Sequence, residues 1–355
     1  MVQSFILTAV LALVSVSSAQ CGSGTPDAKV TGSGSSFAAT KGSTTLYTGS
    51  DYRLAIQTAL DSISSGQRVS IIASGSIGAN TISITSGKIF EGCGTIASVL
   101  KSGRGAIESL NTQNVQIPYL TMSGNPYFGL RFYGTSGLVL GKINLNFSGG
   151  LGIRFDRDQA ANSNVKMDVI TCNGAGSHCV ETWNINTLVI NSVIAKNCGE
   201  SGLLLQATTN AKVGLVDGNN VGAGTGYGTL RFANRNGRLN DAYNTNIYID
   251  KVVSRGGGRG IFCVSESGGA EIKAIDLASN GNNAILLENC YNINIKGGTV
   301  NGGGEVRVSS RTEFANSKDL TITAKVDGTS VRESPCGVNV KWVITGNPTS
   351  KTICS

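Results

Sequence analysis

Between Gly129 and Arg311 a short phrase returns eight times. It reads Gly129-Leu130-Arg131-Phe132, Gly152-Ile153-Arg154-Phe155, Cys179-Val180-Glu181-Thr182 and Gly202-Leu203-Leu204-Leu205. It continues as Thr229-Leu230-Arg231-Phe232, Gly260-Ile261-Phe262-Cys263, Ala284-Ile285-Leu286-Leu287 and Glu305-Val306-Arg307-Val308. Successive phrases start 21 to 31 residues apart. A repeat of roughly 20–30 residues built on short β-prone phrases cannot bury its apolar face alone, so such units stack into a solenoid with a continuous core. Corners such as Gly256-Gly257-Gly258 and Asn280-Gly281-Asn282-Asn283 fit this, because sharp turns need positive φ. The expected fold is all-β, a single-domain parallel β-helix with one capping helix.

Stacking places equivalent positions about 4.8 Å apart, and strand alternation sorts them onto two faces. Leu130, Ile153, Val180, Leu203, Leu230, Ile261, Ile285 and Val306 make one aliphatic column. Phe132, Phe155, Thr182, Leu205, Phe232, Cys263, Leu287 and Val308 extend it, and both are expected in the core. The intervening column points outward: Arg131, Arg154, Glu181, Leu204, Arg231, Phe262, Leu286, Arg307. Its neighbour reads Tyr133, Asp156, Trp183, Gln206, Ala233, Val264, Glu288, Ser309.

The ends read differently. Residues 1–19 carry no charge and hold an apolar run closed by Ser17-Ser18-Ala19, the pattern of a secretory signal peptide. Residues 20–48, rich in Gly, Ser and Thr, are expected as an extended leader or a strand pair at the entrance. Ser50 or Asp51 caps a helix near 51–63 with Ile56, Leu60 and Ile63 on one face. This helix is the expected lid over the N-terminal end of a β-helix spanning 49–320, since an open end exposes core and unpaired strands. Residues 321–355, with Pro335-Cys336, are expected as the C-terminal cap.

All nine cysteines follow the expected cleavage site, which fits an oxidising, extracellular setting. Cys172 with Cys198, Cys336 with Cys354, and Cys21 with Cys93 are the expected pairs; Cys179, Cys263 and Cys290 are left unassigned. Asn146-Phe147-Ser148 is a glycosylation sequon, with Asn146 the acceptor. The net charge of +7 suits an acidic polymer as partner. Basic runs with interleaved aromatics are absent, so nucleic acid is not expected. No later apolar run is long enough to span a bilayer. A monomer is expected.

The capping stretch Ala55-Ile56-Gln57-Thr58-Ala59-Leu60, the strand Val69-Ser70-Ile71-Ile72 and the coil Ile84-Thr85-Ser86-Gly87-Lys88-Ile89-Phe90-Glu91-Gly92-Cys93-Gly94 precede the ladder. Together they resemble a right-handed parallel β-helix of the pectate lyase and polygalacturonase superfamily. The resemblance implies a secreted enzyme acting on a uronate-containing cell-wall polysaccharide. The outward strip suits such a substrate: arginine forks bind carboxylates and indole faces stack on pyranose rings. The competing reading is that Arg131, Arg154 and Arg231 simply pair with Asp156 and Glu181.

Two reactions are expected from this likeness. β-Elimination needs a base for the proton α to the carboxylate and a cation to neutralise that carboxylate. The resemblance implies an arginine base, for which Arg154 and Arg231 are candidates, and Ca²⁺ or further arginines as the neutralising charge. Asp156, Asp158 and Glu181 are the candidate calcium ligands. Hydrolysis needs two carboxyls, for which Asp156 and Glu181 are the candidates. The Asn-Thr-Asp and Asp-Asp signatures of polygalacturonases are absent, as are the Trp-Ile-Asp-His and Arg-x-Pro-x-x-Arg motifs of pectate lyases, so neither catalytic signature is intact; elimination is slightly preferred. His178, the single histidine, partly matches the Gly-His-Gly segment that supplies a site histidine in polygalacturonases. Arg131, Tyr133, Trp183, Asn234, Arg235 and Arg259 are the candidate substrate-binding residues, the last three from a basic cluster that also holds Arg238 and Arg255. A binding protein without catalysis is the reading from another class.

Overall fold

The structure, a computed structural model, describes residues 22–355. Residues 1–19, expected as a signal peptide, and Cys21 lie outside the described residues. The chain is all-β with one short helix, wound as a β-solenoid of about 12 turns.

The repeated phrases form one parallel ladder. Gly105–Leu110, Phe128–Tyr133, Leu151–Phe155, Val180–Trp183, Leu203–Gln206, Gly228–Ala233 and Arg259–Cys263 stack in that order. The C-terminal parts of Ser267–Glu288 and Gly298–Ser309 continue it. Leu130 faces Ile153, Ile153 faces Val180 and Val180 faces Leu203, so the register is the one the alternation demands. Every residue of the two inward columns is buried. A fully buried aliphatic side chain contributes roughly 1.5–3 kcal/mol before entropy is counted, and a slip of one residue would turn the whole set outward.

A second ladder closes the core from across the coil. It runs through Gln116–Asn125, Val139–Phe147, Asn162–Asn173, Ile185–Lys196, Thr209–Asn219 and Ile247–Arg255. Its inward residues Leu120, Ile143, Ile170, Val193, Val216 and Val252 are in register and buried. Between the ladders the chain turns through left-handed residues, among them Asn111 (φ 53°), Asn184 (φ 51°), Asn234 (φ 53°) and Asn289 (φ 54°), each directly after a phrase strand. Asparagine tolerates this region because its side chain can bond the local backbone. At Gly257 (φ 72°) a Cβ would lie 2.2 Å from the Val221 carbonyl, so only glycine fits that corner.

The helix Tyr52–Ser62 covers the N-terminal end. Asp51 accepts the Leu54 amide at 2.8 Å as its N-cap, and Tyr52, Ala55, Ile56, Ala59 and Leu60 are its buried face. Two lysines hold its carbonyl end: Lys88 Nζ donates to Leu60 O at 2.8 Å and Lys41 Nζ to Ser62 O at 2.6 Å. Cations there oppose the negative end of the helix dipole. Of the two forms expected for the N-terminal segment, the structure has strands rather than an extended leader, and three of them rather than a pair. Ala28–Ser33, Ser36–Lys41 and Thr44–Gly49 form an antiparallel meander whose first strand pairs parallel with Arg68–Ile71. Ala28, Val30, Phe37 and Ala39 alternate into the core, a pattern masked by the Gly/Ser/Thr content around them. At the other end the stack continues past residue 320: Lys318–Asp327 pairs with Val338–Thr345, and Val331–Glu333 with Lys351–Thr352. The C-terminal cap is therefore the last coils themselves, fastened by the expected Cys336–Cys354 bond.

One expected disulfide is corrected. Cys172 bonds Cys179, not Cys198, with Cα atoms 5.7 Å apart. In the stack Cys172 lies opposite Ala195, so Cys198 falls three residues further along the next coil. Cys179 meets Cys172 within a single turn, and Cys198 is buried as a free thiol. Cys263 and Cys290 form a further bond. Because Cys21 lies outside the described residues, its expected pairing with Cys93 does too.

Candidate functional site

The outward column of the phrase ladder begins one coil earlier than the repeat count suggested. Glu108 lies opposite Arg131, Arg131 opposite Arg154, and Arg154 opposite Glu181. With Asp156 beside them these side chains form one continuous ion-pair chain. Arg104 grips the Glu108 carboxylate through two nitrogens, and Arg131 Nη1 reaches Glu108 Oε1 at 3.2 Å. Arg131 also meets Asp156 Oδ2 at 2.6 Å, and Arg154 Nε meets Asp156 Oδ1 at 3.2 Å. Arg154 Nη1 then bonds Glu181 Oε2. The other Glu181 oxygen accepts from Trp183 Nε1 at 3.0 Å and Gln206 Nε2 at 2.8 Å. Burial opposes the charge on Glu108, but Arg104, the Gly105 amide and Arg131 outweigh it and lower its pKa. Burial likewise opposes the charge on Arg131, yet Asp156 and Glu108 raise its pKa. In these coils the competing reading holds: the arginines neutralise carboxylates that are themselves buried.

The chain of charge stops at Leu204. This side chain is buried against Ala233 and Val264, with Phe262 packed on the cluster. Leu204 lies opposite Arg231, and Arg231 lies opposite Phe262, so the two in-column neighbours of Arg231 are apolar. The Arg231 guanidinium stands over Tyr227 at 4.5 Å and Phe262 at 5.1 Å. Arg259 stands over the same Phe262 ring at 4.3 Å, its Nε donating to Asn283 Oδ1 at 2.9 Å. The ion pairs of the described residues include neither Arg231 nor Arg259. Burial is the main cause that lowers the pKa of both guanidinium groups, and Arg231 Nε is buried without an acceptor. A groove of about 370 Å³ runs from Arg154, Glu181 and Trp183 to Tyr227, Arg231 and Asn234.

His178 lines this groove with both nitrogens engaged. Nδ1 accepts the Ser201 amide at 2.9 Å and Nε2 lies 3.1 Å from Glu200 Oε2, which also takes the Ser177 hydroxyl. The bonding assigns the Nε2–H tautomer. Burial lowers the imidazole pKa, against the pull of Glu181 and Glu200. The ring packs edge-on against Tyr227 at 5.4 Å, and Tyr227 carries Arg231. His178 thus positions the aromatic seat of Arg231, and the Cys172–Cys179 bond closes the turn that holds it.

The remaining candidates fall into place around these. Arg131 lies over Tyr133 at 5.6 Å, and Arg157 over Trp183 at 5.7 Å. Asn234 Nδ2 donates to Gln206 Oε1 at 2.5 Å. Arg235 is exposed and pairs with Glu266 at 3.5 Å; Arg238 pairs with Asp241 at 3.1 Å and Arg255 with Asp276 at 2.5 Å. Asn146 is exposed, as a glycan acceptor must be. The calcium ligand set does not assemble. Asp156 and Glu181 give their oxygens to arginines, Trp183 and Gln206, and exposed Asp158 pairs with Arg157. Among the described residues no three His, Cys, Asp or Glu side chains are grouped to hold a metal ion. Glu108, Glu200, Gln206 and Tyr227 belong to the site and were not singled out from sequence. Gln206 was legible in the columns; Glu108 lies one coil before the first repeated phrase, and Tyr227 had only its place before Gly228 to mark it.

No family model, no curated protein and no solved structure matches the chain.

Proposed function

We propose that this protein is a secreted enzyme that binds a uronate-containing polysaccharide in the groove at Arg231 and cleaves it by β-elimination. The observation that carries the reading is the Arg231–Phe262–Arg259 arrangement: two partly buried guanidinium groups share one ring and have no carboxylate of their own. Every upstream charge in the column is matched, whereas the carboxylates that act on Arg231 and Arg259, those of Glu181, Glu200 and Glu288, do so without an ion pair, so this is where a directly paired negative charge is lacking. A sugar carboxylate supplies it, held by charge-assisted forks. The three disulfides among the described residues accord with secretion.

In this reading Arg259 holds the uronate carboxylate. Arg231, the one whose charge burial opposes most, takes the C5 proton in its neutral form. The C–H electron pair becomes the C4–C5 double bond, the C4–O bond breaks, and the departing oxygen is protonated from solvent. Arg154 is less suited as base because two carboxylates engage it. The same bridge argues against hydrolysis by Asp156 and Glu181, since the oxygens of both carboxylates are taken by Arg131, Arg154, Trp183 and Gln206 rather than offered to a glycosidic bond. The likeness of the repeat and cap to the pectate lyase and polygalacturonase superfamily supports the substrate class. Incubation with polygalacturonate, followed at the ultraviolet absorbance of unsaturated uronates, should give a rising signal. Reducing ends without that absorbance would transfer the assignment to a hydrolase. Polymer retention with neither signal would leave a binding protein.

A further inference from the structure

A cavity of about 580 Å³, larger than the groove, lies in the coils that follow Arg231. It is lined by Tyr243, Asn244, Glu266, Tyr291, Asn292 and Lys318, among others. Its wall is an insertion. The chain passes from the phrase strand Leu203–Gln206 to the next strand Thr209–Asn219 through two residues, but from Gly228–Ala233 to Ile247–Arg255 through thirteen. The insertion is built rather than loose. Asn246 Nδ2 donates to Gly237 O at 2.8 Å and Asn244 O at 2.7 Å. Asn292 Nδ2, from the coil two turns on, donates to Tyr243 O at 2.6 Å, and the Tyr243 hydroxyl donates to the Glu266 carbonyl.

Neighbouring residues divide between this cavity and the face that carries Arg231. Asn234 lines the groove, while Arg238 lines the cavity. Ser265, Asn289 and Phe314 line a small depression with Arg231 and Phe262, whereas Glu266, Tyr291 and Ala315 line the cavity. The cavity therefore adjoins the small depression at Arg231 through residues one or two apart in the chain, and Arg238 follows the groove residue Asn234 by four. The cavity's chemistry differs from the groove's. Two phenol rings lie 5.1 Å apart at 54°, beside the amides of Asn244 and Asn292. Asp241, Glu266 and Asp319 outnumber Arg238 and Lys318, so an additional carboxylate is not favoured there. Aromatic faces with amide donors and acceptors suit an uncharged sugar ring.

We infer that this cavity receives a neutral sugar branch of the polymer whose acidic backbone lies in the groove. The inference rests on the reading of the groove given above. Affinity is measured by calorimetry for linear polygalacturonate and for the same backbone grafted with single xylose, arabinose or galactose branches. The wild type should bind at least one branched polymer about tenfold more tightly than the linear one. Asn244→Trp fills the cavity from its exposed lip without touching the anchoring bonds, and should erase that preference while leaving linear affinity unchanged. Tyr243→Ala, checked by thermal melting, should do the same. Equal affinity for all polymers, or a preference that survives Asn244→Trp, overturns the inference. If no polymer binds, the groove reading has failed. The cavity is then judged alone, by ligand-observed NMR with the free neutral sugars. A signal lost in Asn244→Trp supports it, and no signal overturns it.

Discussion

Arg154→Met and Arg231→Met remove the same group from the same column, yet they should act in opposite ways. Arg154 stands between Asp156 and Glu181, whose side chains are 9% and 8% exposed. Removing it leaves Glu181 without a cation and Asp156 with Arg131 alone. A broken buried pair costs about 3–5 kcal/mol, and the partial exposure of Arg154 discounts that to about 2–4 kcal/mol. A fall in melting midpoint on the order of 5 °C follows. Arg231→Met forfeits two cation–π contacts of roughly 0.5–1 kcal/mol each, but removes a desolvated charge and an unsatisfied Nε worth about 1–3 kcal/mol. Its stability should lie within about 1 kcal/mol of wild type. Function inverts the order. Loss of one of two unmatched cations should weaken polygalacturonate binding about tenfold or more, and loss of the base should lower turnover by about 10²–10⁴. Thermal melts, calorimetric binding and the absorbance assay on both variants give the comparison. If Arg231→Met destabilises as much as Arg154→Met, or binds and turns over polymer normally, the idea of an unmatched guanidinium site is refuted.

Glu181→Gln should keep the fold by circular dichroism but lower turnover about 100-fold, because Arg154, Trp183 and Gln206 all take their positions from its carboxylate; unchanged turnover would remove Glu181 from the site. Leu204→Glu puts a carboxylate opposite Arg231; it should abolish polymer binding in a chain that still folds by circular dichroism, at some loss of melting midpoint from the apolar cluster it interrupts, and retained binding would contradict the charge argument. Burial holds the His178 imidazole below its ordinary value of 6.5. The unfolded chain therefore takes up a proton first as pH falls, so stability is full above about 6.5 and declines below it by up to about 1.4 kcal/mol per pH unit. His178→Gln should flatten that slope in melts between pH 4 and 7, on the order of one proton's worth, and equal slopes would count against a buried neutral histidine. Burial pushes the Cys198 thiol up to about 11, so it should alkylate only after denaturation, and a non-reducing peptide map should join Cys172 to Cys179; a Cys172–Cys198 peptide would refute the register.

The scaffold was readable because its signal is one-dimensional. Period-two alternation and an aliphatic requirement at every coil put Leu130, Ile153, Val180 and Leu203 in one column before any coordinates, and the observed register is the same. Features that depend on how side chains meet between coils were not readable. The choice between Cys179 and Cys198 for Cys172 turns on a three-residue offset that the strand phrases do not encode. The meander of residues 28–49 hides four core residues among small polar ones. The insertion of residues 234–246 reads only as a basic cluster, although its anchoring asparagines give it a shape.

The site itself came from residues that the column pattern marks as interruptions. In a stacked ladder the nearest in-column neighbours lie about 4.8 Å away, so an arginine beside a carboxylate is neutralised by it. The column from Glu108 to Glu181 satisfies itself, because Arg131 and Arg154 lie between those two carboxylates and share Asp156 beside them, and it offers little net charge to a ligand. An arginine remains available only where its neighbours above and below cannot pair with it. Leu204 and Phe262 provide that isolation for Arg231, and the Phe262 ring holds Arg259 next to it. For a solenoid that binds a charged polymer, the apolar breaks in an outward charged column are therefore the better guide to a site than the charges, and here they favour Arg231 and Arg259 among the candidate residues as the proposed site.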